Sequence, residues 1–201
     1  MRCFKSKRNQ VFLSDGLITK RVSRPESAKA EAEFLRELHR AGVRVPGVIE
    51  QCGNEIIMEY LPGETLPDFI SRMESAPDEA ALHSAARRLC LWFEHFYAAV
   101  NHPQSGEIRG DVNGRNFIFM DDSVASVDFE GRVYGAMEQD IGKLLAFIHM
   151  YNPAQTSIKR RFVRLFKQAA QEKLGLSGAE ICTQYRKERV AMRRRRAKIS
   201  F

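Results

Sequence analysis

An α+β fold in two parts is what this chain predicts, on three observations. Residues 10 to 60 carry short strand-like runs, with one helix among them, punctuated by turn residues. From about Pro67 onward the runs lengthen to helical size. The change of style falls at Pro62-Gly63, a natural break. The expected units are a small β-rich part over 1–62, a mainly helical part over 63–185, and a basic C-terminal tail over 186–201.

Each element has its own signal. Residues 10 to 22 read as two strands around a turn at Ser14-Asp15-Gly16, the second being Leu17 to Val22 with alternating faces. Ser23 to Glu26 breaks that strand. A helix is expected from about Ser27 to Ala41, with Phe34, Leu35 and Leu38 on one face and Gly42 as its stop. Val48-Ile49 leads to a strand at Glu55 to Tyr60, so the first part reads β-β-α-β-β. The second part predicts a helix near Pro67 and a longer one from Pro77 to about Val100. Two short strands follow, Phe117 to Met120 and Val124 to Val127, and then helices at Met137 to Met150, Ser157 to Leu174 and Ser177 to about Arg194.

Composition narrows the class. With 201 residues, 44% of them hydrophobic, the chain has enough apolar surface for a core. No apolar run approaches the roughly 18 residues of a membrane helix, and the N-terminus lacks the apolar stretch of a secretory signal. Cys3, Cys52, Cys90 and Cys182 are widely spaced and read as free thiols of a cytoplasmic protein, and the five histidines are scattered, which argues against a zinc site. The net charge of +7 is concentrated. Residues 186 to 198 hold eight basic side chains against Glu188 alone, a surplus equal to that of the whole chain.

The chemistry-bearing residues come in an order that suits phosphoryl transfer from a nucleotide. Phosphates need a fixed cation, and Lys20 lies in a short strand ahead of a helix. Glu31 or Glu33 of that helix is placed to pair with it, Glu31 being preferred. An adenine ring needs an apolar slot and backbone hydrogen-bonding groups, which a strand ending at a linker offers: Met58, Glu59, Tyr60 and Leu61. Asp111 in a loop suits a base at an acceptor hydroxyl. Asn116 and Asp128 offer hard oxygen ligands to Mg²⁺. Taken singly, these are a solvated lysine, a core strand ending in a turn, and turn-forming residues. Together, in this order and in these elements, they are the parts that ATP and Mg²⁺ as cofactors would require.

With those residues in view, the chain resembles the protein-kinase-like superfamily over residues 10 to 150, including aminoglycoside and choline phosphotransferases, RIO-type kinases and the small KEOPS-complex kinase. KAEAEFLRELHRAGVRVP is similar to the helix after the nucleotide lysine, IIMEYLPGETL to the hinge, GDVNGRN to the catalytic loop and VASVDFE to the metal-binding loop. The resemblance implies a minimal two-lobed kinase-like fold. Lys20 would hold the α and β phosphates with Glu31, Asp111 would be the catalytic base, and Asn116 and Asp128 the metal ligands. Asp140 would buttress the catalytic loop.

Four departures qualify it. No G-x-G-x-x-G precedes Lys20, so Lys5, Lys7 and Arg8 are the candidates to cover the phosphates. Arg109 stands where a histidine is usual. Glu130 replaces the glycine after Asp-Phe. Asn113 replaces a lysine, leaving Arg115 as the candidate γ-phosphate cation. Only nine residues, Gly131 to Gln139, separate Glu130 from Asp140, which leaves no room for a long activation segment. The expected activity is transfer of the γ-phosphate to a hydroxyl, with a protein serine or threonine ahead of a small molecule or lipid-linked sugar. The alternative of another class is a nucleotide-binding pseudokinase or scaffold whose tail meets a polyanion or acidic partner.

Overall fold

The computed structural model describes residues 2–4, 9–129 and 131–197. Expectations resting on Lys5, Lys7, Arg8, Glu130 and Lys198 lie outside these described residues.

Five strands form an antiparallel sheet in the order β1-β2-β3-β5-β4: β1 (Arg2–Phe4), β2 (Gln10–Ser14), β3 (Leu17–Arg21), β4 (Val48–Cys52) and β5 (Glu55–Glu59). Asp15 and Gly16 join β2 to β3 with φ of 52° and 76°, the left-handed pair a two-residue hairpin requires. This turn fixes the register. Lys20 lies opposite Val11 on one side and Ile56 on the other, so β3 is central and its backbone is held from both edges.

Helix α1 (Pro25–Arg40) crosses between β3 and β4, with proline in its first turn. Its buried residues, Ala28, Glu31, Ala32, Phe34, Leu35 and Leu38, form a helical-period stripe. Ala28 and Ala32 pack with Val22, Ile56 and Met58 against the sheet. Phe34, Leu35 and Leu38 join the larger core of the helical part. Glu31 sits between the two groups, inside the stripe. Glu33 points away and lies 4.0 Å from Lys29 on the exposed face.

The second part contains β6 (Glu64–Thr65), α2 (Leu66–Ser75), α3 (Glu79–Ala99), β7 (Glu107–Ile108), a single 3₁₀ turn (Gly114–Asn116), β8 (Phe117–Phe119), β9 (Val124–Ser126), β10 (Val133–Tyr134), α4 (Met137–Met150), α5 (Ser157–Leu174) and α6 (Gly178–Ala197). Thr65, Asp78 and Thr156 cap α2, α3 and α5 through their side-chain oxygens, and Gly175, at φ 66°, ends α5. Aromatic rings fill the core. Phe93 contacts Trp92, Tyr97, Phe117 and Phe166 at centroid distances of 5.2 to 6.1 Å. The indole Nε1 of Trp92 donates to the Arg44 carbonyl at 2.9 Å, tying α3 to the link between α1 and β4.

The sequence expectation matches the longer elements and the short pair β8 and β9, and misses four other short strands. β1, β6, β7 and β10 span two or three residues, too few to show a period, and they exist because a partner strand is present. Residues 186–197 continue α6, with Met192 buried and Arg196 donating to the Met150 carbonyl at 2.7 Å. Among the described residues no helix is long and apolar enough to cross a membrane, and Cys3, Cys52, Cys90 and Cys182 are free thiols.

Candidate active site

Lys20 is the electrostatic centre. Its Nζ donates to Glu31 Oε1 at 2.7 Å, to Glu31 Oε2 at 2.8 Å and to Asp128 Oδ1 at 2.5 Å. Lys20 is 5% exposed and Glu31 6%. Burial pulls the lysine pKa down, but the two carboxylates outweigh it and hold the group above its ordinary value, so the ammonium stays charged. Glu31 Oε1 also accepts the Phe129 N–H at 3.2 Å, so one carboxylate joins β3, α1 and the loop after β9.

Asp128 adopts φ 66°, uncommon for a residue with a Cβ. Arg109 holds it there. The Arg109 Nη2 donates to the carbonyls of Val127 and Asp128, each at 2.8 Å, and Nε donates to Ser126 Oγ at 3.3 Å. Its guanidinium stacks 3.9 Å from the Phe129 ring centroid. A histidine has neither the reach nor the donors for this set. The replacement that the sequence marks as a departure is therefore the clamp on the Asp128 loop.

Asp140, fully buried on α4, accepts the backbone N–H of Arg109 at 2.7 Å, that of Gly110 at 2.9 Å, and the Tyr97 hydroxyl at 3.1 Å. These bonds are the buttress the resemblance implies. Burial pushes the Asp140 carboxyl above its ordinary range against the opposing pull of the three donors. Gly110 is required twice over: its φ is 75°, and a Cβ would lie 2.7 Å from Val133 Cγ2.

Asp111 is exposed at the mouth of this arrangement. Its Oδ2 accepts from Asn116 Nδ2 at 3.1 Å and its Oδ1 from the Asn113 N–H at 3.3 Å. Asn113 caps the 3₁₀ turn by accepting the Arg115 N–H at 3.0 Å. The Asn116 carbonyl accepts the Val127 N–H at 2.9 Å, which sets the 3₁₀ turn beside the residue preceding Asp128. Lys20, Glu31 and Asp128 thus form one bonded group and Asp111 and Asn116 another, and the Val127 backbone brings the two side by side.

The other expected site residues are placed differently. The Arg115 guanidinium donates to the Tyr151 hydroxyl at 2.8 Å and lies 5.7 Å from its ring, at the end of α4. Met58 is buried in the sheet-side core. The Glu59 carboxylate pairs with Arg44 at 2.8 Å and accepts the Gly47 N–H at 3.2 Å, while its own N–H donates to the Gly47 carbonyl at 2.9 Å. The Glu59 side chain therefore fastens β5 to the link after α1. Tyr60 is half-buried and Leu61 buried. Sequence reasoning missed the clamp of Arg109, the hydroxyl of Tyr97 and the hold of Tyr151 on Arg115. Tyr97 sits in an apolar helix with nothing to distinguish it from core.

A profile of the RIO domain matches residues 4–157, three quarters of the chain and every residue from Lys20 to Asp140. The chain belongs to the RIO domain family. RIO domain proteins are kinase-like, so this one is a member of the protein-kinase-like superfamily with the fold of a kinase-like phosphotransferase. Among solved structures, the RIO domain protein described here is similar to a choline/ethanolamine kinase family protein from Mesorhizobium loti, at 15% identity and a TM-score of 0.49 over 95% of this chain and 87% of that one. A comparison with curated proteins gave no significant match.

Proposed function

We propose that this RIO domain protein moves the γ-phosphate of ATP, with Mg²⁺, to a hydroxyl, with a protein serine or threonine as the acceptor. The observation that carries the reading is the Lys20 ammonium held at 2.7 Å by Glu31 and at 2.5 Å by Asp128, while the Asp111–Asn116 pair is fixed beside that loop by the Val127 N–H bond to the Asn116 carbonyl. The donor set fits Mg²⁺. Asp128 is more than a third exposed and offers carboxylate oxygen, and the Asn116 amide nitrogen is spent on Asp111, leaving its carbonyl oxygen. A hard cation that binds few protein groups and keeps phosphate oxygens and waters suits such a pair. When bound, it neutralises charge on the phosphates.

In this reading Lys20 turns from Asp128 to the α and β phosphates while Glu31 keeps it aligned. Asp111, oriented by Asn116, accepts the proton of the attacking hydroxyl. The new P–O bond forms as the bond to the ADP oxygen breaks. Arg115 reaches the transferring phosphate by leaving Tyr151. Met58, Tyr60 and Leu61 line the adenine end, with Glu59 contributing backbone rather than its carboxylate.

A second acceptor class, a small molecule or lipid-linked sugar, is favoured by one observation. The segment after the Asp128 loop pairs with β7 through β10 instead of extending as a peptide platform. The exposed arginines at the end of α6 are the proposed contact for a polyanionic partner.

The deciding experiment incubates the protein with γ-labelled ATP and Mg²⁺, alone and with protein and small-molecule acceptors. Wild type is expected to transfer label. Asp111→Asn should lose about 10²-fold or more of the rate while still binding ATP, and Asp128→Ala should lose both. Intact ATP binding without any transfer or hydrolysis by wild type overturns the enzyme reading in favour of a pseudokinase.

A further inference from the structure

The Lys20–Glu31 geometry requires α1 to hold one rotation and one height against the sheet. Its own packing there is weak. It faces β5 through Ala28 and Ala32, which have little side chain to key the helix, and no side chain caps its N-terminus. The segment from Gly131 to Gln139 is the stretch of chain between the Asp128 loop and Asp140 from which a further hold on α1 can come.

Arg132 stands at the start of that short segment. Its backbone is fixed by the three residues after it: Val133 pairs with Ile108, Tyr134 with Glu107, and the Gly135 N–H donates to the Gly106 carbonyl at 2.8 Å. From this anchored position its guanidinium makes three contacts. Nη1 donates to Glu107 Oε2 at 2.7 Å, Nη2 donates to Glu37 Oε2 on α1, and the group lies 4.4 Å from the Phe34 ring centroid, also on α1.

We propose that Arg132 is a positioning residue that locks α1 so that Glu31 keeps Lys20 ready for nucleotide; this rests on the phosphotransferase reading of Lys20. Glu37 is six residues beyond Glu31, about 9 Å along a helix rising 1.5 Å per residue. A helix tied by charged bonds at both points does not roll about its axis. The Phe34 contact adds a second route. Its ring edge meets Phe129 at 5.7 Å, and the Phe129 N–H is bonded to Glu31. Arginine suits this position because two arms of its planar fork reach Glu107 and Glu37 while its face lies on the Phe34 ring, an arrangement the compact ammonium of a lysine does not reproduce.

The two carboxylates are unequal, which makes the proposal testable apart from folding. Glu107 is nearly buried, and its Oε1 has no partner among the described residues, so it depends on the Arg132 charge. The Glu37 side chain is 54% exposed, and an exposed ion pair contributes little to stability. Glu37→Gln cuts only the α1 link. Arg132→Lys keeps a charge for Glu107 and loses the bridge.

The test measures affinity for a Mg²⁺-loaded non-hydrolysable ATP analogue by calorimetry, hydrogen exchange of the α1 amides, and Tm. Both variants are expected to bind nucleotide about five-fold more weakly. Their α1 amides should exchange about ten-fold faster while Tm stays within about 2 °C of wild type. Unchanged α1 exchange in both variants overturns the proposal. So does weakening of binding that merely follows a loss of Tm. If wild type binds no nucleotide, the phosphotransferase reading fails, and the exchange data still decide whether Arg132 locks α1.

Discussion

At the level of single residues, several buried groups are kept in their protonated forms. Burial pushes the Cys90 thiol up to about 12 and, with Asp140 nearby, the Tyr97 phenol well above its usual value. Lys20 is also raised, because Glu31 and Asp128 outweigh its burial. In all three the folded state holds its proton more tightly than the unfolded chain. The stability linked to them is complete below the unfolded values and is lost as pH climbs through the folded ones. The urea midpoint should therefore decline from about pH 9 upward, and Cys90→Ala should flatten the decline between pH 9 and 12. A midpoint that stays level from pH 9 to 11 would contradict this linkage. The same scale shows what a sequence reveals. The pairing of Lys20 with Glu31 was legible, because a buried cation needs a carboxylate on the next helix, whereas the bond from Lys20 to Asp128, 108 residues on, has no local signal. The role of the Glu59 carboxylate was not legible, since nothing near it in sequence shows that Arg44, fifteen residues earlier, takes it. Arg115 was expected at the phosphate, and Tyr151 holds it 36 residues away.

Among the elements, the contact between α4 and α6 depends on one small residue. A Cβ on Gly142 would fall 2.6 Å from Gln184 Cβ and 2.8 Å from the Tyr185 backbone nitrogen, so α6 lies directly on the α4 backbone. Gly142→Ala is expected to force the helices apart and to cost about 1–3 kcal/mol, against a helix-propensity gain of under about 1 kcal/mol. Urea denaturation measures it, and an alanine variant as stable as wild type would mean that α6 shifts freely. Because α4 also carries Asp140, the same variant tests how far the buttress depends on α6. The long helices were readable from their period, and Gly175 and the cap residues Thr65, Asp78 and Thr156 mark their ends. The two-residue strands β7 and β10 were not readable, since each exists only through the other.

For the molecule as a whole, charge is segregated. The surplus of +7 equals that of residues 186 to 198 alone, and the described part of this run forms the last turns of α6. An unstructured polyanion such as a single-stranded RNA should bind there through its phosphates. Replacing the exposed Arg193 and Arg194 together by alanine should lower the slope of log affinity against log salt by about 1.4, at about 0.7 for each phosphate no longer neutralised. An unaltered slope would mean that these two side chains neutralise no phosphate. Within the proposed site, the sharing of Asp128 has a thermodynamic consequence. Lys20 already neutralises that carboxylate, so in the proposed reaction a metal ion arriving there would evict a buried ammonium. The ammonium then needs other negative charge, and the phosphates of the nucleotide supply it. Cation and nucleotide each vacate the place the other requires, so each must tighten the other, by the same factor in both directions.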